Sequence, residues 1–161
     1  MRQVVFIVTT IFTFITACSG LTDNHLPLED IEEIKSGHYS NYPGDDGVQR
    51  VIISNGVFEA EWEKVYTSSS QPPEVPVIDF ENRTVVLLML DHKPTGGYGI
   101  DDINLSYNHA EMVVRYSEVE PGPNCGTTQA TTRPYVFISI PKLDGEVEII
   151  KENIITTDCS K

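Results

Sequence analysis

Positive charge is scarce in this chain. It carries 11 Lys and Arg against 24 Asp and Glu, a formal net charge of −13. Nucleic-acid binders draw their affinity from basic patches that neutralise phosphate, and electrostatic adhesion to anionic lipid needs the same. Both classes are excluded, and the acidity reads as solubility at a surface. Histidine is also sparse, at 4 residues. His25 and His38 fall in a polar N-terminal segment and His109 in a hairpin turn, so only His92 stands beside a candidate loop. No Gly-x-Ser-x-Gly, His-Glu-x-x-His or phosphate-binding glycine motif is present. Cys125 with His92 is the one nucleophile pair to consider, and a disulfide explains Cys125 more simply. Asp91, Asp101 and Asp102 read as solvated loop-edge carboxylates rather than metal ligands. Asp45-Asp46-Gly47 lacks calcium-loop spacing and reads as a turn. The chain is therefore read as no enzyme, with no cofactor and no metal.

Long apolar runs are missing beyond the N-terminus. Residues 4–15 form an uncharged apolar stretch of about a dozen residues, short of the roughly 20 that a transmembrane helix needs. With Arg2 ahead of it and the small residues Ala17, Cys18, Ser19 and Gly20 after it, this is the pattern of a secretory signal. Ile15-Thr16-Ala17-Cys18 resembles the bacterial lipobox, in which cleavage leaves cysteine first and lipids are attached to it. The resemblance makes 1–17 a lipoprotein signal peptide and Cys18 the lipidation site. Ser19 is similar to the outer-membrane-directed pattern, where an aspartate would favour retention at the inner membrane. The implied location is the bacterial cell envelope, anchored by lipid in the outer membrane and facing the periplasm. Several acyl chains are needed for a stable anchor, and lipoproteins of this type carry them. Loss of Arg2 takes the charge to about −14 and leaves roughly 144 residues, one domain and a tail.

Residues 18–47 are rich in Asp, Glu, Asn, Ser, Gly and Pro and read as an acidic flexible tether. Residues 48–161 are the folded domain. Residues 50–54 suit a strand. Ser54-Asn55 then opens an amphipathic helix, with Phe58, Trp62, Val65 and Tyr66 on one face and Glu59, Glu61, Glu63 and Lys64 on the wet face. A proline-rich loop leads to Thr84-Val85-Val86-Leu87-Leu88-Met89-Leu90, a strand buried on both faces. Residues 102–107 and 112–117 alternate as a hairpin of half-buried strands. Residues 135–140 alternate again, Leu143-Asp144-Gly145 signals a hairpin, and 146–150 and 154–157 finish the chain as strands. About six strands, one helix and no βαβ rhythm predict a mainly β domain, an antiparallel β-sandwich or open barrel.

Glycine and proline gather in two places. Lys93-Pro94-Thr95-Gly96-Gly97-Tyr98-Gly99 is a loop of set shape carrying one large ring, because proline fixes φ and glycine permits positive φ. Glu120-Pro121-Gly122-Pro123-Asn124-Cys125-Gly126 is the second. If Cys18 is lipidated, Cys125 and Cys159 remain in an oxidising compartment. A disulfide between them would close a loop of about 34 residues and contribute roughly 3–4 kcal/mol; the alternative is two free thiols.

The order of features from residue 56 onward resembles the PrcB C-terminal domain family. The matching pieces are Glu61-Trp62 on the helix, Val77-Ile78-Asp79-Phe80, the apolar strand, Lys93-Pro94-Thr95-Gly96-Gly97-Tyr98, Pro121-Gly122-Pro123-Asn124-Cys125, Thr128-Gln129-Ala130, and Pro134-Tyr135 opening the strand that ends in Ile140-Pro141-Lys142. The family takes its name from a lipoprotein subunit of a bacterial surface protease complex. The resemblance implies a lipid-anchored accessory protein that binds a protein partner, a protease among the candidates, and stabilises or modulates it. Pro94-Thr95-Gly96-Gly97-Tyr98 and Arg133-Pro134-Tyr135 are also similar to two loops of chagasin-type cysteine protease inhibitors. Lys93 and Gly96 depart from that pattern, and its glycine-rich middle loop is missing. The candidate partner surface is therefore Pro94, Thr95, Gly96, Gly97 and Tyr98 with Pro121, Gly122, Arg133, Pro134 and Tyr135. A passive envelope lipoprotein, whose Gly/Pro loops only make turns, is the competing expectation.

Overall fold

The side chains from 85 to 90 offer nothing to water, so a strand built from them needs a cover on each face. The computed structural model describes residues 24–25, 30–67, 69–108, 111–142 and 144–160, and it supplies both covers. In chain order the elements are β1 (Asn24–His25), β2 (Glu32–Gly37), β3 (Val48–Ile52), α1 (Asn55–Val65), β4 (Arg83–Met89), β5 (Gly99–Asn108), β6 (Glu111–Pro121), β7 (Tyr135–Pro141) and β8 (Glu146–Thr157). One four-stranded sheet has the order β1-β5-β6-β8 and the other β2-β7-β4-β3. The protein is mainly β with one helix, and the sheets form a sandwich rather than a closed barrel.

Alternate side chains of β4 serve two cores. Val86 and Leu88, followed by Leu90, pack with Val136, Ile138 and Ile140 of β7 against Leu105, Met112, Val114 and Tyr116 of the first sheet. Val85, Leu87 and Met89 face the other way, with Tyr135 and Phe137, against Phe58, Trp62 and Val65 of α1. The order of layers is sheet, sheet, helix. Each fully buried aliphatic side chain contributes on the order of 1.5–3 kcal/mol, so the central strand pair is the main apolar investment of the fold.

The helix presents Phe58, Glu61, Trp62 and Val65 inward, the spacing of one helical face. Trp62 stacks near Phe58 and Phe137, with ring centroids at 5.5 and 5.2 Å, and its indole N–H donates to the Pro73 carbonyl at 3.2 Å. That bond ties the proline-rich loop across the helix. Ser54 occupies the N-cap position with extended backbone but makes no side-chain cap bond.

Glu61 departs from expectation. The helical pattern puts it on the wet face, yet it is 5% exposed. Tyr42 donates its hydroxyl to the Glu61 carboxylate at 2.5 Å, and Lys64 donates to the other oxygen at 2.8 Å. Two donors replace the water that the carboxylate loses. Burial would raise its pKa, but the bonds from Lys64 and Tyr42 outweigh burial and hold it below the ordinary value. A carboxyl lowered on folding stabilises the fold above its unfolded pKa of about 4.3, and that contribution is lost as pH falls through the lower folded value. Glu61→Gln is expected to cost about 1–2 kcal/mol near neutral pH. In urea denaturation the difference from wild type should narrow at pH 3; a gap that is the same at both pH values would contradict the assignment.

Three further readings change. The expected tether is part of the domain from residue 30 onward: β2 pairs with β7, and Tyr42 is 8% exposed in the helix-side core. Ile31 and Ile34 lie three apart, which is opposite faces of a strand, and they pack on the inter-sheet and helix-side cores respectively. Their neighbours are polar because β2 is an edge strand. Second, Asp144-Gly145 makes no hairpin between β7 and β8. Both edges of β7 are already taken by β2 and β4, so the chain crosses to the first sheet and β8 pairs parallel with β6. Third, β8 is one strand rather than two. Tyr116 faces Lys151 and Ser117 faces Asn153, which leaves Glu152 as an extra residue whose carboxylate accepts from Arg115 Nε at 3.0 Å. The remaining pairings in both sheets are antiparallel, as expected. The signal segment 1–17, Cys18, His109 and Leu143 lie outside the described residues.

Candidate functional site

The two glycine-proline loops meet at one end of the sandwich. Lys93 and Thr132 exchange backbone bonds at 2.8 and 2.9 Å, and the Gly96 amide donates to the Thr128 carbonyl at 3.0 Å. The Thr132 hydroxyl donates to the Thr95 carbonyl at 2.8 Å. The glycine loop is thus laced to the polar segment 128–132. Gly97 has a φ of +89°, which L side chains rarely adopt, and a Cβ there would lie 3.0 Å from Pro121 Cβ. At Gly96 the Thr128 hydroxyl fills the place of a Cβ. Here glycine serves both turn conformation and close approach of the second loop.

Tyr98 is half-buried and belongs to neither apolar core. Its ring lies 5.4 Å from the Lys93 ammonium, which also pairs with Asp91 at 2.7 Å and with Glu118. Lys151 reaches the second Glu118 oxygen at 3.2 Å. Lys93 and Glu118 are 13% and 6% exposed at their side chains, so this pair is held away from water. Burial would lower the Lys93 pKa, but its hydrogen bonds to Asp91 and Glu118 outweigh that and raise it. The bond from Lys93 in turn lowers the Asp91 carboxyl. The network fixes the base of the loop and the ring of Tyr98. Sequence reading missed it, although one signal was present: Glu118 continues the inward series Met112, Val114, Tyr116 of β6, where a carboxylate needs a partner.

The second loop is fixed as firmly. Cys125 and Cys159 form a disulfide with Cα atoms 5.1 Å apart, so Cys125 carries no free thiol. The Gly122 amide donates to the Thr157 carbonyl at 3.2 Å and the Cys125 amide to the Gly122 carbonyl at 3.0 Å. Pro94, Gly97, Pro123, Asn124, Gly126 and Thr128 remain exposed at this end.

Arg133, Pro134 and Tyr135 do not join that surface; all three are buried. Arg133 is 1% exposed and donates to the carbonyls of Tyr42 at 2.5 Å, Gly44 at 2.7 Å, Asp46 at 2.6 Å and Leu90 at 3.4 Å. The Tyr135 hydroxyl shares a 2.7 Å bond with that of Tyr66, and burial raises both phenols. Their expected role as contact residues is corrected. The segment opens an inner strand, and its arginine is used up in pinning the 42–46 turn. Gly122 is buried as well, with the Thr157 carbonyl where its Cβ would be. Asp101 and Asp102 are exposed on β5, and Lys93 pairs with Asp91 and Glu118 rather than with them.

Residues 84–141 match the family model described as PrcB C-terminal. The PrcB C-terminal match runs from the start of the buried central strand to the end of β7. It takes in the glycine loop, its hairpin, the second loop and the buried Arg133. The resemblance seen in the sequence holds over that stretch. No curated protein and no solved structure matches the chain.

Proposed function

We propose that this chain is an accessory protein of the bacterial envelope, held by lipid on Cys18, that binds a partner protease and stabilises or modulates it. The observation that carries this reading is the PrcB C-terminal match over 84–141. The contact surface in this reading is the loop end: Pro94, Gly97 and Tyr98 with Pro123, Asn124 and Thr128. Binding to pre-ordered loops avoids the entropy of fixing them, about 0.5–1.5 kcal/mol per immobilised side chain, and both loops are already tied by backbone bonds, a buried ion pair and a disulfide. The outer-membrane location rests on the signal pattern and on Ser19. A chagasin-like inhibitor needs its second loop at the surface, and the burial of Arg133, Pro134 and Tyr135 speaks against it.

The test is a crosslinking pull-down from envelope membranes with the full-length lipoprotein. Wild type is expected to recover a protease, and Tyr98→Ala and Asn124→Arg should each reduce recovery at least tenfold while the melting temperature of Asn124→Arg is unchanged. Equal recovery by all three would dismiss the loop surface. Recovery of no protease by wild type would dismiss the protease reading.

A further inference from the structure

A groove runs along the side of the sandwich between β2 and the first half of β5. Ile31, Ile100, Ile103, Val136 and Ile138 line it, and Glu33, Asp101 and Asp102 stand exposed at its rim. Two strand edges face it. β2 is the last strand of its sheet, and β1, among the described residues, pairs with Ser106 and Tyr107 of β5 and no further. Among the described residues, positions 99–105 of β5 therefore have no strand neighbour on that side.

The local backbone explains the rim. Asp101 faces Ser117 and Asn104 faces Arg115, so Asp102 and Ile103 together oppose the single residue Tyr116. Asp102 sits at φ 50°, an Asp101 oxygen accepts its amide at 2.8 Å, and the Asn104 side chain donates to its carbonyl at 3.0 Å. This bulge turns Ile103 onto the inter-sheet core and leaves two adjacent carboxylates in solvent. Among the described residues, neither they nor Glu33 form an ion pair. Ser36 donates its hydroxyl to Glu33 at 2.6 Å. An apolar floor, a backbone edge open beside the bulge and three carboxylates that no cation neutralises call for an occupant of matching pattern and opposite charge.

We propose that this groove takes an extended basic segment of a partner protein, laid as an added strand along the open edge of β5. Apolar side chains at alternate positions would fill the floor, and Lys or Arg between them would meet Glu33, Asp101 and Asp102. The backbone bonds supply affinity and the charges supply selection. The assignment rests on the groove's own lining and does not depend on the protease reading or on the glycine loop.

The test uses the full chain and a nine-residue peptide of alternating lysine and valine, followed by fluorescence anisotropy. The peptide should bind, and the combined Glu33→Gln, Asp101→Asn, Asp102→Asn protein should bind at least tenfold more weakly. A control with Glu63→Gln, Glu74→Gln and Glu148→Gln, three exposed acids elsewhere, should stay within twofold of wild type. Equal weakening by the control would mean attraction to the overall negative charge and would overturn the site. A peptide N-methylated at alternate amides should lose binding; undiminished binding would rule out strand addition. Hydrogen exchange on the wild-type protein gives a reading independent of any variant: the lysine-valine peptide should slow amides within 99–105 and leave those of the β8 edge around Ile154 unchanged. Equal protection at β8, or a dimer that the three rim substitutions abolish, would also overturn the proposal.

Discussion

Replacing Arg133 by methionine is expected to destabilise the protein by about 3–5 kcal/mol, because it leaves buried carbonyl acceptors unpaired at roughly 1–3 kcal/mol each, adding less than fully. The guanidinium is almost wholly buried and donates to four carbonyls, three of them in the 42–46 turn and one on Leu90. It also lies 5.8 Å from the Tyr42 ring. Hydrogen bonds from charged donors contribute about 1.5–3 kcal/mol each, more than neutral ones, and they do not add fully because the turn can relax towards water. Methionine fills part of the volume and none of the bonds. Lysine keeps the charge but offers a point ammonium where the carbonyls are arranged around a planar fork, so Arg133→Lys should lose most of the same stability. Urea unfolding followed by tryptophan fluorescence measures this directly, since Trp62 is in the core that Tyr42 helps to close. A loss below 1 kcal/mol for methionine would show that the turn is held by other means. A large loss of partner binding with unchanged stability would instead restore Arg133 as a contact residue.

The second large effect belongs to the disulfide. Cys125→Ser with Cys159→Ser is expected to cost about 3–4 kcal/mol, from the freedom regained by the unfolded chain when a loop of 34 residues is released. In the native protein the bond ties the second loop to the end of β8, next to the Gly122–Thr157 and Asn124–Ser160 hydrogen bonds. Removing it should also loosen the loop that Gly97 packs against, so partner binding should weaken alongside stability. Thermal melting of wild type with and without dithiothreitol should reproduce the difference between wild type and the double variant. If reductant leaves the melting temperature unchanged and mass spectrometry shows two free thiols, the bond contributes nothing to the fold.

Much of the architecture was legible because it rests on local pattern. The doubly apolar run 84–90 predicted a strand covered on both faces, and it lies between a sheet and a helix. The alternation in 102–107 and 112–117 predicted the β5–β6 pair. The spacing of Phe58, Trp62 and Val65 predicted the buried face of α1. The family resemblance was legible too, because it consists of short motifs in a fixed order, and the matched residues 84–141 contain most of them.

Other features depend on which chain segments meet, and no local pattern encodes that. An acidic stretch reads as a tether until β7 offers it an edge, and then its two isoleucines become core residues on opposite faces. A hairpin signal at 143–145 cannot make a hairpin when both edges of the preceding strand are occupied. Arg133 in the order Arg-Pro-Tyr looks like a presented loop, yet its donors turn inward because four carbonyls from distant segments converge on it. Glu61 looks solvated in one dimension and is buried in three, since a phenol from elsewhere takes the place of water, and the ammonium that Glu118 needs comes from a separate loop. The sequence by itself determined the strands β3 to β7, the helix, the cysteine pair worth considering and the glycine loop. Tertiary structure alone decided which loops share a surface, because backbone bonds between segments far apart in the chain bring the glycine loop to 121–132 and hold Arg133 beneath it.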